Sequence, residues 1–182
     1  LQAGNLYVSG AFNAPYAPGV LVWNGTTWSQ VGSGLEEFSS GSGQPLLVSA
    51  SSDIVTGLGQ DLNSCFGPTS TYGCVSHWDG TAWSTQSSSL PVLNQPVLAL
   101  APGPAAGTYY AGGTFDKACT SLNAKDCSDV MPVGGVARWT GAYWANLGAG
   151  LSNVQSLVSS EMCIRDRRPV AREQGQHPLC EW

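Results

Sequence analysis

Cysteine and histidine are the residues of this chain whose chemistry is easiest to locate. Before Ser160 the cysteines fall into two close pairs, Cys65 with Cys74 and Cys119 with Cys127, and the only histidine is His77. Thiolate and imidazole could hold zinc, but structural zinc sites draw on C-x-x-C pairs, and none occurs here. Oxidation within each pair is the economical chemistry. Each bridge would close one short loop and stabilise the fold by roughly 2–3 kcal/mol. Four cysteines allow three connectivities, so the spacing alone leaves the pairing open. Disulfides also imply an oxidising compartment.

Catalytic arrangements find less support. A Ser-His-Asp set would have to use His77, next to Trp78, and no G-x-S-x-G is present. Asp61 and Asp79 could form a glycosidase pair only by an accident of folding, since nothing in their spacing calls for it. Gly41-Ser42-Gly43 belongs to a flexible linker and not to a nucleotide cradle. Asp116, Asp126 and Asp129 make one segment acidic, but their spacing fits no calcium loop. The expectation is a non-enzymatic protein with no metal and no cofactor.

The more telling signal is aromatic. W-x-G-x-x-W occurs at Trp23-Asn24-Gly25 to Trp28, Trp78-Asp79-Gly80 to Trp83, and Trp139-Thr140-Gly141 to Trp144. Flanking text repeats with it. Ser29 to Leu35, Ser84 to Leu90 and Ala145 to Leu151 follow the second tryptophans, while Leu6 to Phe12, Asp53 to Gly59 and Tyr109 to Phe115 precede the first. Later copies add Pro45 to Ala50 and Pro96 to Ala101, and Val154 to Val158 echoes them as the start of a fourth. A repeat of this length is one supersecondary unit that buries its apolar face only against its neighbours. In the third copy the apolar runs are Val97–Ala101, Tyr109–Ala111, Val133–Trp139 and Tyr143–Leu147, short and bounded by Gly, Pro and Ser. That pattern predicts strands. The expected fold is all-β: a partial β-propeller of about three four-stranded antiparallel blades, at about 1–35, 45–90 and 96–151, within a repeat region 1–159. The four-residue loop between paired tryptophans places both indoles on one face of a hairpin, as scaffold.

Each unit resembles a kelch-type blade, with a small-Gly or Gly-Gly dipeptide closing one strand and a Trp near the motif's end. The likeness is closer to the repeats of Rax2-like cell-surface polarity proteins. The third unit carries it best, from Tyr109-Tyr110-Ala111-Gly112-Gly113-Thr114-Phe115 through Ala137-Arg138-Trp139 to Leu151. Unit two departs from it, with Gly59 in place of Phe and Gln86-Ser87 in place of Leu-Gly. The resemblance implies a cell-surface setting and a role in protein interaction, polarity or adhesion. The segments between the dipeptide and the first Trp lengthen from 13 to 21 to 26 residues, counted from Gly10, Gly57 and Gly113, and both longer ones hold a cysteine pair. Loops of variable length on a rigid scaffold are where recognition usually sits. The alternative is a carbohydrate-binding or carbohydrate-active propeller using exposed aromatics such as Tyr72 or Tyr143.

From Ser160 the character of the sequence changes. Glu161-Met162-Cys163-Ile164-Arg165-Asp166-Arg167 resembles a translated sequencing adapter, so 160–182 is expected to be a disordered, non-native tail holding Cys163 and Cys180. The rest carries Lys117, Lys125 and Arg138 as its only cations, too few to neutralise a phosphate backbone, so nucleic acid is a poor partner. No run is long and apolar enough to span a bilayer as a helix. A signal peptide or anchor would lie outside the sequence, and the chain is expected to be extracellular or at the cell surface. A protein or glycan ligand there is the expected partner. Asn24-Gly25-Thr26 is an N-glycosylation sequon as well as good turn chemistry. About three blades do not close a ring, so 1–159 alone is expected to be unstable or to associate through uncovered faces.

Overall fold

The computed structural model describes residues 4–33, 35, 44–49, 53–58, 74–85, 92–123, 126–148 and 151–159. Every regular element among them is a β-strand. Strands β1 (Leu6–Gly10), β2 (Gly19–Trp23) and β3 (Trp28–Gln30) form a first antiparallel sheet in sequential order. Strands β4 (Leu46–Val48), β5 (Ile54–Leu58), β6 (Cys74–Trp78) and β7 (Trp83–Thr85) form a second. The third joins β8 (Val97–Pro102), β9 (Tyr109–Gly113), β12 (Val136–Trp139) and β13 (Trp144–Asn146). Between β9 and β12 the chain leaves this sheet as a separate hairpin of β10 (Lys117–Asn123) and β11 (Asp126–Pro132). These are blade-like sheets in a row, with β4 lying against β1 and β8 against β4 and β5. Among the described residues they make a partial propeller with no closed ring.

Register is set by the tryptophans. Trp23 pairs with Trp28, Trp78 with Trp83 and Trp139 with Trp144, and each first Trp also faces one residue of the preceding strand: Leu6, Ile54 or Tyr109. Those three residues are therefore structural equivalents, which places unit two one residue out of step with its textual alignment. Ile54, not Asp53, stands opposite Trp78, because that place is sealed and Ile54 is 1% exposed. Cross-strand partners share a face, so each sheet has an indole face and a reverse face. The ring centroids of the pairs lie 5.4, 5.4 and 5.5 Å apart.

One turn closes all three hairpins. The backbone N–H of Asn24, Asp79 and Thr140 donates to the carbonyl of Thr27, Ala82 and Tyr143 at 3.3, 3.3 and 3.0 Å. Their side chains complete the loop. Asn24 Oδ1 accepts from the Thr26 and Thr27 amides, Asp79 Oδ1 from those of Thr81 and Ala82, and Thr140 Oγ1 from that of Tyr143. The glycine that follows sits at φ +96°, +97° and +95° in the three copies (Gly25, Gly80, Gly141). That left-handed region costs an L-residue about 1–2 kcal/mol.

The sheets cohere through their faces. The indole face of the second sheet (Ile54, Trp78, Trp83) packs on the reverse face of the first (Tyr7, Val20, Val22, Val31). The Trp83 indole N–H donates to the Val31 carbonyl at 2.8 Å. Next to it, Gly32 lies so close that a Cβ would fall 2.7 Å from Trp78 Cζ3 and 2.9 Å from Trp83 Nε1. The indole face of the third sheet (Tyr109, Ala111, Ala137, Trp139, Trp144) packs likewise on Val55, Val75 and Leu47 of the second.

Val154–Val158 differs from the expected strand. Residues 151–159 form no ladder; the Val154 amide donates to the Gly113 carbonyl at 3.0 Å, and the Val154 and Leu157 side chains cover the bare Cα of Gly112. A strand exists by pairing backbone groups with a neighbour, and no second strand lies beside this segment among the described residues.

Gly25→Ala and Gly32→Ala separate the two uses of glycine. No atom lies within 4 Å of a Cβ at Gly25, so only the turn is strained, at about 1–2 kcal/mol. Gly32→Ala adds displacement of two indoles, and overpacking typically costs a further ~1–3 kcal/mol. Denaturant melts are expected to rank Gly32→Ala as clearly the more damaging.

Candidate functional site

Two features beyond the scaffold could do chemistry or recognition: a cavity between the second and third sheets, and the hairpin inserted in the third. Alternation of faces creates the first. Trp78 points toward the first sheet, so its neighbour His77 must point toward the third. His77 pairs with Val55 on one side and Ser84 on the other, which puts all three on one face. Opposite them, Tyr109 and Trp139 form an apolar wall, and Thr108 and Gly141 belong to the turns at that end of the sheet. Ser49 and Asp53, from the β4–β5 turn, complete the rim of a cavity of about 320 Å³. The Ser84 hydroxyl donates to the His77 backbone carbonyl at 3.2 Å and not to its imidazole. Ser49 Oγ accepts from the Asp53 amide at 3.2 Å, fixing the turn. The arrangement is an aromatic and aliphatic floor with polar groups at one end, the general form of a small-molecule pocket.

Asp79 flanks this region at the hairpin tip, outside the cavity. Hydrogen bonds from the Ala82 amide, then from the Thr81 hydroxyl and amide, hold its carboxyl down to about 2. His77 adds a smaller electrostatic pull in the same direction.

The second feature is built on Asn94. Its Oδ1 accepts from the Asp116 and Lys117 amides at 3.1 and 2.9 Å, and its Nδ2 donates to Asp116 Oδ1 at 2.6 Å. The Asn94 amide donates to the Lys117 carbonyl, and Leu93 bridges Ala118, both buried. At the returning end the Val133 amide donates to the Asp116 carbonyl at 2.9 Å, and Val133 is fully buried. The β10–β11 hairpin is thus fastened at its base by the segment preceding β8, while farther out Asp129 and Val130 face solvent.

The sequence-derived positions fall unevenly on this frame. Trp139 and Trp144 are sealed between sheets, at 5% and 1% exposure, and Trp78 and Trp83 are half-buried against the first sheet. An indole in that position offers no platform to a ligand. Trp23 and Trp28 are half-buried with no sheet over them among the described residues. Tyr143 is 57% exposed, and Tyr72 and Asp61 lie outside the described residues. Asn24 is exposed at its turn, with Nδ2 donating to Thr27 Oγ1 at 3.3 Å. Cys65 lies outside the described residues, as do the side chains of Cys74, Cys119 and Cys127. The bulged β10–β11 ladder sets Cys119 opposite Val130 and Cys127 opposite Leu122.

The cavity escaped the sequence reading because His77, Ser84, Asp53 and Thr108 come from four separate segments. Period-2 alternation beside Trp78 was the one signal pointing to His77. Among the described residues no group of three His, Cys, Asp or Glu could hold a metal ion, and no helix is long and apolar enough to cross a membrane. Comparison with protein-family models, with curated proteins and with solved structures returned no match.

The depressed Asp79 carboxyl has a defined pH signature. Its folded value of about 2 lies below the unfolded carboxylate value of about 3.9. The charged form therefore supports the fold at pH above about 4, and that support is lost as pH falls toward about 2. Asp79→Asn keeps the accepting oxygen, as Asn24 does in unit one, and removes the charge. Thermal midpoints are expected to fall less between pH 4 and 2 in Asp79→Asn than in the parent.

Proposed function

We propose that the chain is a non-catalytic segment of an extracellular or cell-surface β-propeller that engages a protein partner through the inserts of its sheets, in a polarity or adhesion role. The fastening of β10–β11 by Asn94 carries this reading. A loop that served only to connect β9 to β12 would need neither 7-residue strands nor a side-chain clamp at its root. Here a hairpin is held rigidly at its base with solvent-facing residues beyond it, so little ordering entropy is lost on binding. The kelch-type and Rax2-like repeat text supports the same setting, as do the cysteine pairs placed in the two longer inserts. In this reading those cysteines are oxidised, Asn24 carries a glycan, and the repeats are scaffold.

The second reading is carbohydrate binding, and the cavity between the second and third sheets favours it. Ser49, Asp53, His77 and Thr108 around it offer hydrogen-bonding groups to a sugar. Exposed Tyr143 stands near that end of the sheet, one residue from Trp144.

One experiment separates them. Fluorescently labelled chain is applied to intact eukaryotic cells beside a variant in which 119–130 is replaced by a Gly-Ser loop of equal length. Loss of cell binding with an unchanged thermal melt is the expected result. Undiminished binding by the loop variant would remove the insert as the recognition surface. Binding that is competed by soluble oligosaccharide and lost in His77→Ala or Tyr143→Ala would establish the carbohydrate reading instead.

A further inference from the structure

The three hairpin turns share one geometry, but only the first sets its glycine behind a side-chain amide. Asn24 Oδ1 accepts from the Thr26 amide at 2.9 Å, the Thr27 amide at 2.9 Å and the Thr26 hydroxyl at 2.8 Å. The Thr27 hydroxyl lies 3.5 Å from Oδ1 and accepts from Nδ2 at 3.3 Å. Asn24, Gly25, Thr26 and Thr27 are all exposed, and the Gly25 amide donates to no group among the described residues. Beyond its chain neighbours, no atom lies within 4 Å of a Cβ at Gly25. One turn thus gathers an acyl carbon, an unhindered nitrogen one residue on, and three donors on the acyl oxygen.

Unit two reports what those donors do to charge on that oxygen. Asp79 Oδ1 takes the same three bonds, from the Thr81 amide at 2.8 Å, the Thr81 hydroxyl at 2.7 Å and the Ala82 amide at 2.8 Å. With them its carboxyl lies at about 2. The glycines match as well, at φ +96° and +97°. A turn that favours a negative oxygen in a carboxylate also favours it in a tetrahedral intermediate, where the acyl oxygen takes up the charge. An aspartate at position 24 would keep all three bonds to Oδ1, as Asp79 does.

We propose that Asn24–Gly25 is a self-deamidation site in which the folded turn serves as the oxyanion hole. The Gly25 amide gives its proton to hydroxide and its nitrogen bonds to Asn24 Cγ, which puts negative charge on Oδ1 among its three donors. The Cγ–Nδ2 bond then breaks, and Nδ2 takes a proton from water and leaves as ammonia. A five-membered succinimide remains. Water adds to its Cγ, the charge falling again on Oδ1; the bond from Cγ to the Gly25 nitrogen breaks, that nitrogen regains a proton, and the product is aspartate. The net change is one water in and one ammonia out, with no oxidant or reductant. Opening at the backbone carbonyl instead gives isoaspartate, which lengthens by a methylene a loop whose ends are fixed by the Trp23–Trp28 pair. The donors on Oδ1 favour opening at Cγ. Asp79–Gly80 is not such a site near neutral pH, because an ionised carboxylate is a poor electrophile, and Thr140 has no side-chain acyl carbon. A glycan on Nδ2 would occupy the leaving nitrogen, so the reaction belongs to the unglycosylated chain, where it adds one negative charge to a net of −5.

The test follows the full chain, made in a host without N-glycosylation and incubated in mildly alkaline buffer, folded or unfolded in guanidinium. Mass spectrometry of the chymotryptic peptide containing Asn24 reads conversion of amide to acid, and chromatography against synthetic standards separates aspartate from isoaspartate. The folded chain is expected to react roughly tenfold faster than the unfolded one, less than the gain in an enclosed oxyanion hole because water reaches this turn. Its main product is expected to be aspartate. Thr26→Ala removes the hydroxyl donor and is expected to slow the folded chain by roughly two- to tenfold with no effect on the unfolded one. Thr26→Ser restores the hydroxyl and with it the parent rate. A folded chain that reacts no faster than the unfolded one overturns the proposal. Isoaspartate as the main folded product, or a Thr26→Ala rate equal to the parent's, overturns it equally.

Discussion

An indole pair set against the reverse face of the preceding sheet is the contact from which the rest of this architecture follows. Fully burying a tryptophan removes about 150–250 Å² from water, worth roughly 4–6 kcal/mol at about 25 cal/mol per Å² before ordering costs. No three- or four-stranded sheet can bury that surface within itself, because its two indoles stand side by side on one face. The sheets must stack. Stacking in turn dictates local detail: a bare backbone at Gly32, a free carbonyl at Val31 to accept the Trp83 N–H, and an aliphatic partner such as Ile54 in the same row.

The hairpin turn tolerates more variety than the indoles do. Asn, Asp and Thr each occupy its first position, and each offers an oxygen to amides two or three residues ahead. What does not vary is the next residue, a glycine near φ +95° in every copy. A side-chain acceptor can be amide, carboxylate or hydroxyl, whereas the left-handed backbone has one inexpensive solution. The choice of Asp79 makes one of the three turns sensitive to acid; Asn24 and Thr140 cannot titrate.

Between the regular parts lie the places where the units differ. The longest insert pairs with itself as β10–β11 and is tied down by Asn94, a residue from the linker before β8. The cavity beside His77 exists because two sheets meet imperfectly at one end, leaving aromatic walls unfilled. Rigid repeats with irregular margins give both a stable frame and surfaces free to diverge.

The four-strand order of units two and three and the pairing of tryptophans were legible in the sequence, because period-2 runs, turn glycines and recurrence all pointed the same way, whereas the β10–β11 hairpin was not. The four runs of unit three correspond to β8, β9, β12 and β13, within a few residues at each end. Recurrence misled in two places. It placed Asp53 where Ile54 stands, since text aligns by likeness while register is set by what a sealed row will accept. It also made Val154–Val158 a strand, though a strand depends on a partner that similarity of letters cannot supply. The cavity, the Asn94 clamp and the matching of Leu6 to Ile54 and Tyr109 were decided only by tertiary structure. Each depends on residues tens of positions apart meeting across faces, and distance along the chain carries no information about that meeting.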